Sequence, residues 1–297
     1  MKMNTIWDVG YWVAKQNINI RQIKISTPKC PLILLIGSFL LFSSLAYSES
    51  GHETAWSYKG KNGPNTWGTL SPSFFMCNEG MQQSPIDIIT GSSGTYYPLQ
   101  LSYSDHSLNV VNNGHTLQMN MFDQKHKNVQ AADHVIDIAG KKHYPSYMML
   151  GPQKYDLAQF HFHSPSEHSI DGEHYPLEVH FVHKNSVGAL AVIGVLFKTG
   201  SINKTFQALL DNAPNRVGYV EKSSMLSAND LMVSDLSYYH YQGSLTTPPC
   251  SEDVKWFVMS DVLEISNSQK EQFLKIMGEN ARPTQALNWR NVLMQAR

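Results

Sequence analysis

Short runs of alternating or continuous apolar residues recur along the chain after residue 50 and predict many short strands. The runs are LNVV (108–111), TLQMNM (116–121), VIDI (135–138), LAQFHFH (157–163), PLEVHFVHK (176–184), ALAVIGVLFK (189–198) and VKWFVM (254–259). Runs of this length, bounded by Gly, Pro and Asn, are typical of β-strands. Helical spacing occurs at 202–210 and 268–277, and the second segment opens with a candidate capping box, Ser268 to Glu271. We therefore predict a mainly β (α+β) fold, a largely antiparallel sheet with peripheral helices.

The first 48 residues differ from the rest and predict an export signal. Residues 31–42, PLILLIGSFLLF, form an uncharged apolar block that follows five basic residues and precedes the small residues Ala46 and Ser48. This order is typical of a secretory signal that is cleaved near Ser48. An uncleaved anchor is the alternative, although the block is shorter than the roughly 20 residues of a membrane-spanning helix. We expect a leader at 1–48 and one domain at 49–297.

The exported part is acidic. Residues 1–48 hold five of the 23 basic residues and one of the 24 acidic residues, which leaves 18 basic against 23 acidic residues, a net charge of −5. This balance argues against a nucleic-acid partner. A cleaved signal predicts a periplasmic or secreted protein without membrane attachment, and the sequence leaves monomer and homodimer open.

Two of the three cysteines lie in the exported part. Cys30 precedes the apolar block, so Cys77 and Cys250 remain. An oxidising compartment favours a disulfide between them. The loop would exceed 170 residues, which places its stabilisation near the upper end of a range of roughly 0 to 5 kcal/mol. Two buried free thiols are the alternative.

Six of the thirteen histidines lie in residues 159–183, QFHFHSPSEHSIDGEHYPLEVHFVH. Side chains in a strand alternate between faces, so His161 and His163 share a face, whereas His180 and His183 point in opposite directions. If the two strands pair antiparallel, then His161, His163 and His180 converge. Three neutral imidazoles with one open position describe a catalytic zinc site. A solvated, histidine-rich strand face is the alternative.

Two polar residues favour the metal site over that alternative. Gln159 and Glu178 each lie two residues before a proposed ligand and on its face. Metal-bound imidazoles usually donate their second N–H to a carboxylate, amide or carbonyl, and an inward-facing carboxylate is costly without such a partner. His168 and His174 lie beside the turn sequence IDGE, so we predict that they are solvent-exposed and do not bind the metal.

A series of longer motifs spans the chain from about Trp56 to Arg297. They are WSYKGKNGPNTWG (56–68), QQSPIDI (82–88), NNGH (112–115), QFHFHSPSEHSIDG (159–172), LEVHFVH (177–183), YQGSLTTPPCSEDVKW (241–256) and NARPTQALNWR (280–290). Together, and in this order, they resemble the alpha-class carbonic anhydrases. The resemblance implies one domain on a twisted, largely antiparallel ten-stranded sheet, with zinc at the floor of a conical cleft. The signal, the short HFH-to-EVH link and the cysteine pair are similar to the bacterial exported branch, whose members carry this disulfide.

The resemblance implies reversible hydration of carbon dioxide to bicarbonate and a proton by zinc-bound hydroxide. It assigns the same ligands, His161, His163 and His180, with Gln159 and Glu178 as their partners. Thr246 matches the hydroxyl that orients the hydroxide and donates to a carboxylate, here Glu167. His115 matches the proton shuttle. Without the family pattern, Thr246 would be interpreted as a hydroxyl in a turn, Glu167 as an acidic residue in a solvated loop, and His115 as an exposed histidine.

The resemblance also implies the walls of the cleft. An apolar substrate pocket would comprise Val182, Val192, Leu245, Thr247, Val254 and Trp256. The hydrophilic half and its support would comprise Tyr58, Asn113, Gln118 and Asn280, although Gln118 stands at a position that varies in the family. Two other functions remain open: a zinc-dependent esterase or hydrolase acting through the same site, and a non-catalytic binding or adhesion protein on this fold. The presence of all three candidate ligands argues against the second.

Overall fold

Strands dominate the structure, as the alternation along the sequence predicts. The computed structural model describes residues 55–90, 94–121, 135–136, 142–143 and 145–296, so the expected leader at 1–48 lies outside the described residues. In chain order the strands are β1 Asp87–Ile88, β2 Leu99–Ser102, β3 Asp105–Asn112, β4 Leu117–Asn120, β5 Val135–Ile136, β6 Lys142–His143, β7 Tyr147–Leu150, β8 Gln153–His163, β9 Ser169–Ile170, β10 Glu173–His174, β11 Leu177–Lys184, β12 Leu190–Thr199, β13 Gly218–Ser227, β14 Tyr238–Gly243, β15 Val254–Met259, β16 Leu263–Ile265 and β17 Leu293–Gln295. The helices are α1 Trp67–Leu70, α2 Met76–Glu79, α3 Lys204–Asp211 and α4 Asn267–Met277. Short 3-10 helices lie at Gly60–Asn62, Pro64–Thr66, Pro72–Phe74 and Ala228–Leu231.

Twelve of these strands form one sheet. Its main path runs β13-β3-β4-β8-β11-β12-β15-β14-β17, while β7 pairs with β8 and β2, and β16 pairs with β12. Among the described pairs of this sheet, only β12 with β15 and β12 with β16 are parallel. The mainly β, largely antiparallel architecture is therefore confirmed, but ten strands is too few. Short strands such as β16 and β17, of three residues each, bring the count above the ten that the resemblance implies.

The central strands bury apolar side chains on both faces of the sheet. On β12, Ile193 and Val195 belong to the larger core, whereas Val192 and Leu196 point to the opposite face. The second apolar cluster, on that opposite face, comprises Ile86, Ile88, Val192, Leu196, Tyr241, Val254, Trp256, Val258 and Val292. Burial on both faces explains why β12 forms an almost continuous apolar run in the sequence.

The two longer helices lie where periodicity predicts them, but one cap differs. Helix α3 begins after Asn203, whose Oδ1 accepts the N–H of Phe206 at 2.9 Å. Helix α4 is capped by Ser266, which accepts the N–H of Gln269, while the Gln269 side chain accepts the N–H of Ser266. The predicted capping box at Ser268 is therefore wrong. The helix starts one residue earlier than its apolar spacing suggests, so the cap also moves towards the N-terminus.

Residues from His52 to Arg297 cluster as one compact unit, and a domain start at residue 49 stays a prediction. Within the part of the chain that the structure describes, no helix is both long and apolar enough to cross a bilayer. Of the predicted strand at 135–138, Val135–Ile136 forms β5, and the other two residues lie outside the described residues.

His240 on β14 is a buried histidine whose protonation should affect stability. Its ring stacks on Tyr96 at 4.1 Å and on Phe257 at 4.8 Å between centroids, and Nδ1 donates to the Trp256 carbonyl at 2.8 Å. Burial lowers the pKa of His240 to about 4. An unfolded histidine titrates near 6.5, so the unfolded state binds a proton that the native state does not bind between about pH 6.5 and 4.

The contribution of His240 to stability is therefore complete above pH 6.5 and is lost as the pH falls towards 4. We expect His240→Phe, which keeps a flat ring in the stack, to reduce this loss by up to about 3 kcal/mol. Urea unfolding of both proteins at pH 7 and pH 4.5 measures the difference. Equal pH dependence in the two proteins would show that other groups cause it.

Candidate metal centre

Strand pairing brings three histidines to one point on the sheet. Strands β8 and β11 are antiparallel, with His180 opposite His161 and Glu178 opposite His163. One ring nitrogen from each of His161, His163 and His180 lies within 4.8 Å of the others. His183 lies on the other face, is fully buried, and its Nε2 is 2.8 Å from the Tyr103 hydroxyl. The structure thus brings together the three predicted ligands and separates them from His183.

Each of the three imidazoles uses one ring nitrogen to donate to a fixed oxygen. The pairs are His161 Nδ1 to Gln159 Oε1 at 2.8 Å, His163 Nδ1 to the Asn280 carbonyl at 2.7 Å, and His180 Nε2 to Glu178 Oε1 at 2.8 Å. These bonds assign the tautomers and leave the opposite nitrogen of each ring with a lone pair. The free Nε2 of His163 is buried and has no hydrogen-bond partner among the described residues.

The electrostatic environment keeps two of these rings neutral. Burial lowers the pKa of His161 well below its usual value, and His163 and His180 lower it further. Burial also lowers the pKa of His163, against the opposing effect of Glu167. Burial acts in the same direction on His180, but the Glu178 carboxylate, with a smaller effect of Glu167, outweighs it and leaves the pKa of His180 raised. A neutral imidazole is the form that binds a metal.

This donor set fits zinc. Three imidazole nitrogens that converge and leave one direction open are the arrangement of catalytic zinc sites, and imidazole suits zinc better than it suits magnesium or calcium. The buried, unpaired Nε2 of His163 would otherwise carry an uncompensated desolvation cost. A metal ion bound to the three nitrogens would remove that cost.

Glu178 is saturated with hydrogen bonds. Its Oε1 accepts from His180 Nε2 at 2.8 Å and from His168 Nδ1 at 2.7 Å, while its Oε2 accepts the backbone N–H groups of Glu167 and His168 at 2.8 and 2.9 Å. Burial acts to raise the pKa of Glu178, but His168 and His180 outweigh it and hold the pKa well below the usual value. The carboxylate is therefore a fixed acceptor that orients His180.

His168 is fully buried, so the prediction that it is solvent-exposed is wrong. Its Nε2 lies 2.7 Å from the Tyr241 hydroxyl, which lies 2.8 Å from Ser84 Oγ. The IDGE turn begins only after His168, and β9 pairs with β1 from a distant part of the chain, which encloses this segment. The sequence did contain a signal for this burial. A buried carboxylate such as Glu178 can accept about four hydrogen bonds, and His180 alone supplies only one, so a second buried donor near Glu178 was to be expected. His174 is exposed, as predicted.

Gly194 is a supporting position that pattern reasoning missed. It lies opposite His180 in the sheet, and a Cβ atom there would be 2.8 Å from Glu178 Oε1. A larger residue would therefore displace the carboxylate that orients His180. A glycine inside the apolar run of β12 is the sequence signal, because such a glycine often marks a close approach of another group.

Glu167 has one fixed oxygen and one open oxygen. It is fully buried, and its Oε1 accepts the backbone N–H of Arg282 at 2.8 Å. Its Oε2 lies 3.9 Å from His180 Nδ1 and has no hydrogen-bond partner among the described residues. Thr246 is buried in the loop between β14 and β15. The expected Thr246–Glu167 hydrogen bond is thus not formed, although the carboxylate oxygen that would accept it is available.

The loop that carries Thr246 is anchored at several points. Cys77 and Cys250 form a disulfide, which confirms that prediction. The Cys250 N–H donates to the Thr247 carbonyl at 2.8 Å, and the Cys250 carbonyl accepts from Gln83 Nε2 at 3.0 Å. The Thr246 segment is therefore attached covalently to the part of the chain that follows α1.

The predicted apolar pocket residues lie together. Val192, Val254 and Trp256 belong to the second apolar cluster, and Val182 and Leu245 pack against it while staying partly exposed. The Trp256 ring centroid is 4.8 Å from that of His180, so this cluster borders the metal centre. Thr247, the sixth predicted pocket residue, is also partly exposed.

The predicted shuttle lies in a hairpin between β3 and β4. Asn113 Oδ1 accepts the N–H groups of His115 and Thr116 at 2.9 and 2.8 Å, and Gly114 has a φ of +87°, which together form the tight turn of this hairpin. The partly buried His115 ring stacks on Trp56 with centroids 3.7 Å apart and planes 7° apart. Nothing in the sequence pattern around Trp56 or His115 predicts this stacking.

The remaining predicted cleft residues are close to the same centre. Gln118 lies opposite His161 in the sheet and donates to Asn120 Oδ1 at 2.6 Å. The Tyr58 hydroxyl is buried and has no hydrogen-bond partner among the described residues. Burial, followed by the charge of Glu167, raises the pKa of Tyr58 well above its usual value. Tyr58 therefore stays protonated near Glu167.

Known proteins resemble the chain over most of its length. The family described as eukaryotic-type carbonic anhydrase matches residues 62–296. A carbonic anhydrase from Pectobacterium carotovorum is 36% identical over 259 residues, 86% of this chain and 98% of that protein. Dioscorin dioA3 from Dioscorea japonica is 31% identical over 272 residues, 88% of this chain and 93% of that protein. The structure of the alpha-carbonic anhydrase from Thermovibrio ammonificans with the inhibitor sulfanilamide gives a TM-score of 0.71 at 38% identity, covering 81% of this chain and 99% of that one.

Proposed function

The chain belongs to the alpha carbonic anhydrase family, and from that premise we propose that it uses one zinc ion to hydrate carbon dioxide reversibly to bicarbonate and a proton. The observation that carries the proposal is the convergence of three oriented imidazoles, His161, His163 and His180, whose free nitrogens lie within 4.8 Å of one another. When bound, zinc would supply a water with a pKa near 7, the established value for carbonic anhydrases as a class.

Glu167 and Thr246 would orient the attacking oxygen. As a carboxylate, Glu167 can only accept hydrogen bonds, and its Oε2 has no partner among the described residues. The Thr246 hydroxyl is the group that we expect to donate there. With its proton directed to Glu167, that hydroxyl would have only lone pairs to offer the cleft, so it would act as an acceptor that orients the attacking oxygen.

The second apolar cluster would bind the substrate. Carbon dioxide is apolar and small, and Val182, Val192 and Trp256 form an apolar wall next to His180. Such a wall excludes water from the side on which the substrate carbon approaches. The same wall would restrict larger esters, which is why we favour hydration over a general hydrolase.

Export to the periplasm or to the medium is part of the proposal. The apolar block at 31–42 predicts a signal, and the Cys77–Cys250 disulfide suits an oxidising compartment. Carbon dioxide and bicarbonate are the expected partners in either compartment.

Stopped-flow assays on the purified protein test the function. We expect zinc-dependent hydration of carbon dioxide, with a higher kcat/KM than for hydrolysis of p-nitrophenyl acetate, and inhibition of both reactions by sulfanilamide. Ester hydrolysis without hydration would favour the hydrolase instead. Loss of both reactions in the zinc-loaded protein would favour a binding protein.

His115→Ala tests the route by which the proton leaves. The three ligand rings cannot carry the proton while they bind the metal, whereas a free imidazole titrates near 6.5 and can accept and release it. We expect kcat at low buffer concentration to fall about tenfold or more, with little change in kcat/KM, and added imidazole to restore kcat. An unchanged kcat at low buffer would assign the proton to another group.

A further inference from the structure

The buried side chain of Asn280 links the metal centre to the shuttle hairpin. Its Nδ2 donates to the His115 carbonyl at 3.0 Å and to the Phe162 carbonyl at 2.8 Å. Its Oδ1 accepts the N–H of Ser164 at 2.8 Å. Asn280 is 1% exposed, so both amide N–H groups are used inside the protein. The amide thus bridges the two residues on either side of His163 and the carbonyl of His115.

The backbone of the same residue holds a ligand ring. The Asn280 carbonyl accepts from His163 Nδ1 at 2.7 Å, and its N–H donates to the Ser164 carbonyl at 3.1 Å. One residue therefore contacts the imidazole of a predicted ligand through its backbone and the predicted shuttle through its side chain. A change at Asn280 would therefore alter the position of His115 relative to the His163 imidazole.

Two other contacts of His115 among the described residues lead away from the metal centre. Its N–H donates to Asn113 Oδ1, but Asn113 is part of the same hairpin and is exposed. Its ring stacks on Trp56, which belongs to the N-terminal segment. Thr116 Oγ1 donates to the Phe162 carbonyl at 2.5 Å and fixes the next residue to β8. Loss of the Asn280 bond should therefore displace His115 without unfolding the hairpin.

We propose that Asn280 is a positioning residue for proton transfer, whose side-chain amide fixes the distance between His115 and the metal centre. The proposal rests on the proposed function, because it takes His115 as the shuttle. Catalytic steps are sensitive to displacements of about 1 Å. A hairpin that is free to move by that amount would slow the proton step and leave the conversion of carbon dioxide to bicarbonate intact.

Exchange of oxygen-18 between carbon dioxide and water tests the proposal, because it measures two rates. One is the interconversion of carbon dioxide and bicarbonate, and the other is the release of labelled water, which depends on proton transfer. For Asn280→Ala we expect water release to fall about tenfold, interconversion to change less than about twofold, and imidazole to restore water release. The exposed Asn291 lies in the same C-terminal segment, and Asn291→Ala should match the wild type.

Two further variants separate positioning from a general structural role. Asn280→Asp keeps the shape of the side chain and the oxygen that accepts the Ser164 N–H, but it removes both amide N–H donors. We therefore expect the same fall in the rate of water release. This variant replaces Asn280→Ala as the test if the alanine variant does not fold. In a His115→Ala background, Asn280→Ala should cause no further loss of water release. A parallel fall in both rates, or a further loss without His115, would overturn the proposal.

A second test does not depend on enzymatic activity and uses the stacking of the His115 ring on Trp56. In the metal-free wild type, the Trp56 indole should shift the His115 Cε1 proton upfield in the NMR spectrum, and Asn280→Ala should reduce that shift. An unchanged shift would contradict the positional part of the proposal. A wild type that shows neither oxygen-18 rate would instead contradict the proposed function, and the NMR comparison would then decide the role of Asn280.

Discussion

His161→Ala is expected to abolish stable zinc binding and to lower carbon dioxide hydration by more than about 100-fold, because loss of an outer partner alone typically costs 10- to 100-fold. His161 is the most informative of the three ligands to replace. It is only partly buried, and its ring Nδ1 bonds to the side chain of Gln159. Replacing His180 would instead leave the buried Glu178 carboxylate short of a donor, and unfolding could mimic the loss of metal.

The control for this variant comes from the same histidine-rich stretch. His174 is exposed, and its Nδ1 contacts the Ser166 backbone and side chain, away from the three predicted ligands, so His174→Ala should keep full zinc content and activity. Zinc per chain after dialysis and stopped-flow hydration are the measurements. A His161→Ala protein that retained one zinc per chain and its activity would show that the metal is bound elsewhere.

Glu167→Gln is expected to lower kcat/KM for hydration about 100-fold while zinc stays bound, which is the typical cost of losing one oriented hydrogen-bonding group in an active site. The substitution keeps the size of the side chain and can keep the acceptor for the Arg282 N–H. It places an amide N–H where the open Oε2 lies. The Thr246 hydroxyl would then accept from the amide, and its own O–H, left without the carboxylate acceptor, could turn towards the attacking oxygen in place of a lone pair.

Glu173→Gln is the matched control, since Glu173 is an exposed carboxylate in β10 of the same connection. It should behave as the wild type. Zinc content separates a catalytic effect from metal loss, and kcat/KM from stopped flow gives the magnitude. If Glu167→Gln retained most of its activity, Thr246 would have to be oriented by another group.

The two buried carboxylates beside the histidines have different environments, which explains their different proposed tasks. Glu178 accepts four hydrogen bonds and cannot adjust, so it fixes the His180 ring. Glu167 accepts one hydrogen bond at Oε1 and keeps Oε2 without a partner among the described residues. The carboxylate with spare capacity is therefore the one that could respond to Thr246 during the reaction.

Alternation along β8 and β11 predicted the metal centre well, because both strands are long and the inward positions carry distinctive residues. The geometry of His161, His163 and His180 and their bonds to Gln159 and Glu178 follow from period two and one antiparallel pairing. The family resemblance added Thr246, Glu167 and His115, none of which stands out by pattern alone.

Long-range contacts account for what the sequence did not reveal. His168 is buried because β1, some eighty residues earlier, pairs with β9, and no local pattern near IDGE records that pairing. The strand β13 is partly exposed and carries Ser223 and Ser224 at a break in its register, so it lacks an apolar alternation. The contacts of Asn280 join residues more than a hundred positions apart, beyond the reach of periodicity.

Titration of the metal-free protein with zinc, followed by stopped-flow hydration at each point, tests whether the three histidines hold the catalytic metal. We expect activity to rise linearly and to stop rising at one zinc per chain, and the same titration of His161→Ala to give no comparable rise. Activity that is independent of added zinc, or a rise in His161→Ala equal to that of the wild type, would contradict the assignment of His161, His163 and His180 as the catalytic zinc site.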